Sequence, residues 1–265
     1  MDVSNLFSVK GKVVLVTGGA KGIGRMISEG FVANGARVYI SSRDAKACEA
    51  AVAGLNKAGK KSGGEAFAIP ADFYKESECK RLAEEIGKRE KALHILINNS
   101  GSNWGAPYSE YPDAAWTRVL TLNLHRVFTL TQLLTPLLEA GSQPLDPSRI
   151  INIGSVDGLR VPSLETFAYS SSKAGLHHLS RVLANHLGKR GITSNTLACG
   201  PFQSKMMKAT LEKFQDEIEG GIPLGRIGSP QDVAGACLFL SSRAGAYVNG
   251  ATIALDGGSV INAKL

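Results

Sequence analysis

The sequence predicts an α/β protein: a doubly wound parallel sheet of about seven strands, flanked by helices, in a single domain over residues 1–265. Three observations carry that reading. Short apolar, β-branched runs recur along the chain, and helix-length segments separate them. Hydrophobic residues make up 43% of the 265 positions and charged ones 20%, enough for a large buried core.

The runs are KVVLV (12–16), ARVYI (36–40), AFAI (66–69), LHILIN (93–98), RIINIG (149–154), ITSNTLA (192–198) and TIAL (252–255). Near-continuous hydrophobicity of this kind belongs to strands buried on both faces. In AAWTRVLTLNLHRVFTLTQLLTPLLEA (114–140) apolar residues return every three or four positions, which predicts one long helix. GSQPLDPS (141–148) reads as a surface connection. The segment at about 199–228 starts and ends in Gly/Pro punctuation with only weak helical periodicity between, and reads as a lid.

The net charge of +7 is spread thinly. Its two local groups, Lys57, Lys60 and Lys61, then Lys88, Arg89 and Lys91, sit in helix-like stretches beside acids and read as solvated faces, so no nucleic-acid partner is expected. The field would still draw anionic small molecules or an acidic carrier protein. Cys48, Cys79, Cys199 and Cys237 show no CxxC spacing, and no histidine pattern fits a metal, so reduced thiols and no metal site are expected. The first residues lack a signal-peptide layout and no apolar run approaches ~18 residues, so the expectation is a soluble cytoplasmic protein without a membrane partner.

KVVLVTGGAKGIGRMISEGF is a strand, a glycine turn and a helix start. Gly18, Gly22 and Gly24, with Lys21 and Ile23 between them, would let a pyrophosphate approach the free N–H groups of the helix. At the end of the second run, Ser42 stands where an acid would repel a 2′-phosphate, and Arg43 follows with a planar fork suited to phosphate. Lys21 adds charge, Asp44 opposes it, and the balance favours NADP(H).

With that turn in hand, TGGAKGIG (17–24), AD (71–72), NNSG (98–101), Asn123, Ser155, Tyr169 with Lys173, and LDGG (255–258) together resemble the short-chain dehydrogenase/reductase family over nearly the whole chain. VYISSRDAKACEA, NNSGSNWGAP and RIINIGSVDG look similar to its rhamnolipid-type β-ketoacyl reductase branch. The resemblance implies a Rossmann-like fold, an oxidoreductase acting on CH–OH/C=O groups, and a homotetramer or homodimer. By the same resemblance Tyr169 donates the proton, Ser155 bonds the carbonyl oxygen, and Asn123 anchors a water that relays protons to Lys173. Lys173 lies at i+4 from Tyr169, and its ammonium is expected to lower the tyrosine pKa. Asp72, Asn99, Gly101, Gly200, Phe202 and Ser204 join the cofactor set by resemblance, as do Tyr169 and Lys173.

Cys199 stands where the family usually has proline, which predicts a more flexible lid base. Candidate substrate residues are Trp104, Val156, Asp157, Leu159, Met206 and Met207. The leading expectation is NADPH-dependent reduction of a 3-oxoacyl thioester or related ketone, small or carrier-bound. The alternatives are an NADP-dependent dehydrogenase of a secondary alcohol, steroid or polyol, and a nucleotide-sensing binding protein without turnover.

Overall fold

The computed structural model describes residues 2–204 and 207–262. Seven parallel strands form one sheet in the order β3-β2-β1-β4-β5-β6-β7. They are β1 (Val13–Thr17), β2 (Arg37–Ser41), β3 (Glu65–Ala68), β4 (Ile95–Asn98), β5 (Ser148–Ile153), β6 (Ile192–Cys199) and β7 (Thr252–Leu255). Each of the seven apolar runs became a strand, displaced by at most two residues at either end.

The helices are α1 (Val3–Leu6), α2 (Gly22–Ala33), α3 (Ala45–Gly59), α4 (Glu76–Arg89), α5 (Asp113–Leu120), α6 (Arg126–Gly141), α7 (Phe167–Leu187), α8 (Lys208–Gly220) and α9 (Pro230–Ser241). They divide by the alternation of the strands. Val14 and Val16 of β1 face one core with Ile27 and Phe31 of α2, Leu55 of α3 and Val233 of α9. Val13 and Leu15 face the other, with Leu82 of α4, Leu134 of α6 and Leu183 of α7. Both faces are therefore covered, as parallel sheets require. Chain order reverses between β1 and β4, which opens a crevice at the carboxyl ends of the strands.

Two sequence expectations need correction. The predicted single helix over 114–140 is interrupted by a π-turn at Thr121–His125, between α5 and α6. The wider turn buries Asn123 and aims its amide at two neighbouring segments. Cys199 lies in the sheet rather than in the loop. It is the last residue of β6, paired with Leu255 of β7, and the next residue's N–H donates to the Leu255 carbonyl. Among the described residues no helix is long and apolar enough to cross a membrane.

Candidate active site

A cleft of about 830 Å³ opens over the carboxyl ends of the strands. At one end the turn after β1 reverses the chain. Gly18 has φ +67, in the region open to glycine, and donates its N–H to the Ser41 carbonyl of β2. Gly24 is buried rather than cleft-lining: a Cβ there would lie 2.3 Å from the Gly18 carbonyl and 2.4 Å from the Asn99 amide nitrogen. Its bareness thus serves the packing of the turn, while Gly18, Lys21, Gly22 and Ile23 line the cleft. The first turn of α2 carries no side-chain cap, leaving its N–H groups directed at the cleft end.

Thr17 locks this turn to the loop after β4. Its Oγ1 accepts the N–H groups of Asn99 (2.9 Å) and Ser100 (3.0 Å), and Asn99 Nδ2 donates to the Thr17 carbonyl (2.9 Å). Ser42, Arg43 and Asp72 lie along the same wall, as do Asn99 and Gly101. Lys21 pairs with Asp44 at 3.1 Å, so Asp44 opposes Lys21 rather than Arg43.

The reactive groups gather at the centre. β5 ends at Ile153, and a short 3-10 turn (Val156–Gly158) starts after Ser155, whose Oγ accepts the Asp157 N–H at 3.1 Å. α7 carries Tyr169 and Lys173 one turn apart, with the lysine Nζ 5.6 Å from the tyrosine ring centroid. Lys173 is buried and donates to the Ile153 carbonyl at 2.7 Å, which ties α7 to the end of β5. Ser155 and Tyr169 line the same cleft with Lys173.

The electrostatics depart from expectation. Burial pushes the Tyr169 phenol up to about 12; the Ser155 side chain pulls the other way, and Asp157 and Cys199 add to the rise. The predicted lowering by Lys173 does not govern it, because the lysine is itself desolvated and its pKa falls to about 8. Cys199, in the cleft wall, is pushed up to about 12 by burial and is a neutral thiol.

Asn123 is committed to the protein. Its Oδ1 accepts the Ser102 N–H (2.8 Å), and its Nδ2 donates to the Ser102 carbonyl (2.9 Å) and to Ser172 Oγ (3.0 Å). Both amide donors are therefore used. Sequence reasoning left His177 unassigned, yet its ring is buried behind the turn after β5 and its Nε2 accepts the Ser155 N–H at 3.4 Å. Burial lowers its pKa to about 4, so it is a neutral acceptor near pH 7. Gly154 leaves room for that ring: a Cβ there would lie 2.3 Å from Nε2. The only signal in the sequence was the i+4 spacing from Lys173.

The substrate candidates divide. Val156, Asp157 and Met207 line the cleft. Trp104 does not: it lies 37% exposed with the Arg118 guanidinium 5.7 Å over its ring, and Asn103 takes the cleft position. Leu159 points outward at 45% exposure, and Arg160 lines the cleft instead. Met206 lies outside the described residues. Gly200, Phe202 and Ser204 line the cleft as expected. The segment expected to be a lid leaves and returns at one point, where Phe202 bridges to Gly228 and the Gly228 N–H donates to the Pro201 carbonyl (2.9 Å). α8 lies between, with a kink at Phe214.

An open α/β sheet with a glycine cradle, and a serine, tyrosine and lysine converging beneath it, defines a class. The chain belongs to the short-chain dehydrogenase/reductase family, oxidoreductases acting on CH–OH and C=O groups, and residues 18–260 match the family model described as Enoyl-(Acyl carrier protein) reductase. It is 41% identical to the rhamnolipids biosynthesis 3-oxoacyl-[acyl-carrier-protein] reductase of Pseudomonas aeruginosa, over 95% of this chain and 97% of that one. The 5-keto-D-gluconate 5-reductase of Escherichia coli K12 is 32% identical over 98% of this chain and 99% of that one. Among solved structures, the Pseudomonas aeruginosa RhlG/NADP active-site complex superposes with a TM-score of 0.92 at 41% identity, covering 97% of this chain and 99% of that one.

Proposed function

We propose that this chain is an NADPH-dependent carbonyl reductase that converts a 3-oxoacyl thioester or related ketone into a secondary alcohol. The observation that carries the reading is the convergence of Ser155, Tyr169 and Lys173 in one cleft that ends at the glycine cradle. The cradle fits a dinucleotide: an uncapped helix start, glycines at the turn and a hydroxyl–arginine pair at Ser42 and Arg43. Gly18, Lys21, Gly22, Ile23, Ser42, Arg43, Asp72, Asn99, Gly101, Gly200, Phe202 and Ser204 would hold it. Bound NADPH supplies the hydride.

The chain's own residues manage the oxygen. A phenol with its pKa raised to about 12 keeps its proton at neutral pH and delivers it to the carbonyl oxygen as negative charge develops there. Ser155 donates a second hydrogen bond to the same oxygen. Lys173, with its pKa near 8, exchanges protons easily around neutral pH and restores the phenol after each turnover. Two donors aimed at one oxygen suit a ketone rather than a carbon–carbon double bond. Asn123 contributes by holding the loop at Ser102 against α7.

The apolar part of the wall, including Val156, Leu164, Phe214, Ile218 and Ile222, supports an acyl chain. A polyol ketone is the second reading, favoured by Asp157 and Arg160 in the same cleft and by the likeness to the 5-keto-D-gluconate reductase. NADPH oxidation measured against a panel of 3-oxoacyl thioesters and polyhydroxy ketones separates the two. Turnover of neither class would overturn the reductase reading. Phe128 of α6 and Val182 of α7 are exposed, which supports a homodimer or homotetramer packed through those helices.

Two substitutions probe this site. Arg43→Ala is expected to weaken NADPH binding by about tenfold and leave NADH binding unchanged, since one charge-assisted phosphate contact is worth roughly 1.5 kcal/mol. Equal affinities before and after would remove Arg43 from cofactor choice. Asp157→Asn removes a negative charge that raises the Tyr169 pKa. The phenolate then forms more readily, so alcohol oxidation at mildly alkaline pH should rise relative to ketone reduction near neutrality. An unchanged ratio across the pH profile would show that Asp157 does not act on Tyr169.

A further inference from the structure

Arg43 is an exposed residue two positions past the end of β2, and no carboxylate among the described residues forms a salt bridge with it. An arginine left to itself samples many rotamers, and ordering it on a ligand costs binding energy. This one is not left to itself. Its guanidinium carbon lies 5.6 Å from the centroid of the Tyr74 ring, within cation–π range.

Tyr74 is held at both ends. Its backbone N–H donates to Asp72 Oδ1 (3.2 Å), in a turn closed by the Lys75 N–H on the Asp72 carbonyl (2.9 Å). Its hydroxyl donates to Ser102 Oγ at 3.2 Å. Ser102 in turn has both its N–H and its carbonyl bound by the Asn123 amide (2.8 and 2.9 Å), and that amide also reaches Ser172 of α7. A half-buried tyrosine therefore connects the cleft-lining Arg43 to the loop after β4 and, through it, to the helix of Tyr169 and Lys173.

We infer that Tyr74 is a positioning residue for cofactor choice: its ring pre-orients Arg43 toward a 2′-phosphate, and its hydroxyl anchors the ring to Ser102. The inference rests on the NADPH reading above. It assigns Asp72 a second task, since the carboxylate at the adenosine end also sets the backbone of the residue that seats Arg43. Tyr74 touches the arginine rather than the chemistry, so its loss should alter which dinucleotide binds before it alters how fast a bound one reacts.

The test is equilibrium binding of NADPH and of NADH, followed by cofactor fluorescence, to wild type, Tyr74→Leu, Tyr74→Phe, Arg43→Ala and the Arg43→Ala/Tyr74→Leu double variant, each checked for an unchanged melting transition. Wild type should bind NADPH more tightly than NADH. Tyr74→Leu should weaken NADPH by about three- to fivefold, the size of an exposed cation–π contact, with NADH unaltered. Tyr74→Phe, which keeps the ring, should stay within about twofold of wild type, the ring face being the larger contribution. In the Arg43→Ala background the leucine should cost nothing further.

Equal losses for both cofactors, additive losses in the double variant, or a phenylalanine variant as weak as the leucine one would each overturn the role given to the ring. Wild type that binds both dinucleotides equally would instead overturn the NADPH reading on which the inference stands. The two failures are therefore distinguishable.

Discussion

Tyr169→Phe is expected to lower kcat for ketone reduction by about three orders of magnitude, in the middle of the range for a positioned general acid. Only the hydroxyl is lost, so the ring still fills its half-buried place on α7 and the fold should be unaffected. In the proposed mechanism the phenol is the proton store, because burial keeps it protonated with a pKa near 12. Ser155 cannot replace it, since an aliphatic hydroxyl is a far weaker acid than a phenol and serves as a hydrogen-bond donor to the same oxygen. Loss of kcat with NADPH affinity retained would identify an interaction made in the transition state. Retained turnover would remove Tyr169 from the proton transfer and with it the mechanism.

Lys173→Met should reduce activity by a comparable factor while making the protein more stable. The lysine is buried against β5, and burial drops its pKa from 10.5 to about 8. A displacement of that size is a penalty on the order of 3 kcal/mol for holding the charge in the folded state near neutral pH. Removing the side chain also leaves the Ile153 carbonyl without its donor, a loss of about 1 kcal/mol. The net gain, on the order of 1–2 kcal/mol, should raise Tm by about 2–4 °C.

The pH dependence follows from the direction of the shift. Between pH 8 and 10.5 the unfolded chain holds the lysine proton and the folded wild type releases it, so wild-type stability rises with pH through that window. The advantage of the methionine variant is therefore complete below pH 8 and lost as pH approaches 10.5. Melting curves of both proteins across that range measure it. A variant less stable than wild type at neutral pH would show that the Ile153 contact outweighs the desolvation of the charge.

These two residues also mark how far the sequence could be read. Their i, i+4 spacing placed them on one helix face, and Ser155 followed a recognisable strand. The spacing could not supply the sign of the tyrosine shift. Charge proximity alone argued for a lowered pKa, but desolvation depends on everything packed around the phenol, from β5 to the end of β6. Asn123 was visible as a landmark, whereas its commitment to Ser102 and Ser172 depends on a π-turn that no periodicity announced. Trp104 and Leu159 were placed in the cleft by sequence adjacency, and the neighbours Asn103 and Arg160 occupy it instead. A one-residue rotation of the loop decides that, and no pattern in a loop encodes it.

By itself, then, the sequence determined what is local and periodic: seven strands, a glycine turn opening α2, and a tyrosine and lysine stacked on α7. Backbone sterics and the two- and three-to-four-residue periods act over a few positions, so they can be read from a single chain. Only the tertiary structure decided the rest. Cys199 became a strand residue because β7, from the far end of the chain, pairs with it. Arg43 acquired a seat on Tyr74, and Lys173 lost solvent and became easy to deprotonate, for the same reason. Burial and long-range contact set these properties, and they exist only once distant segments have met.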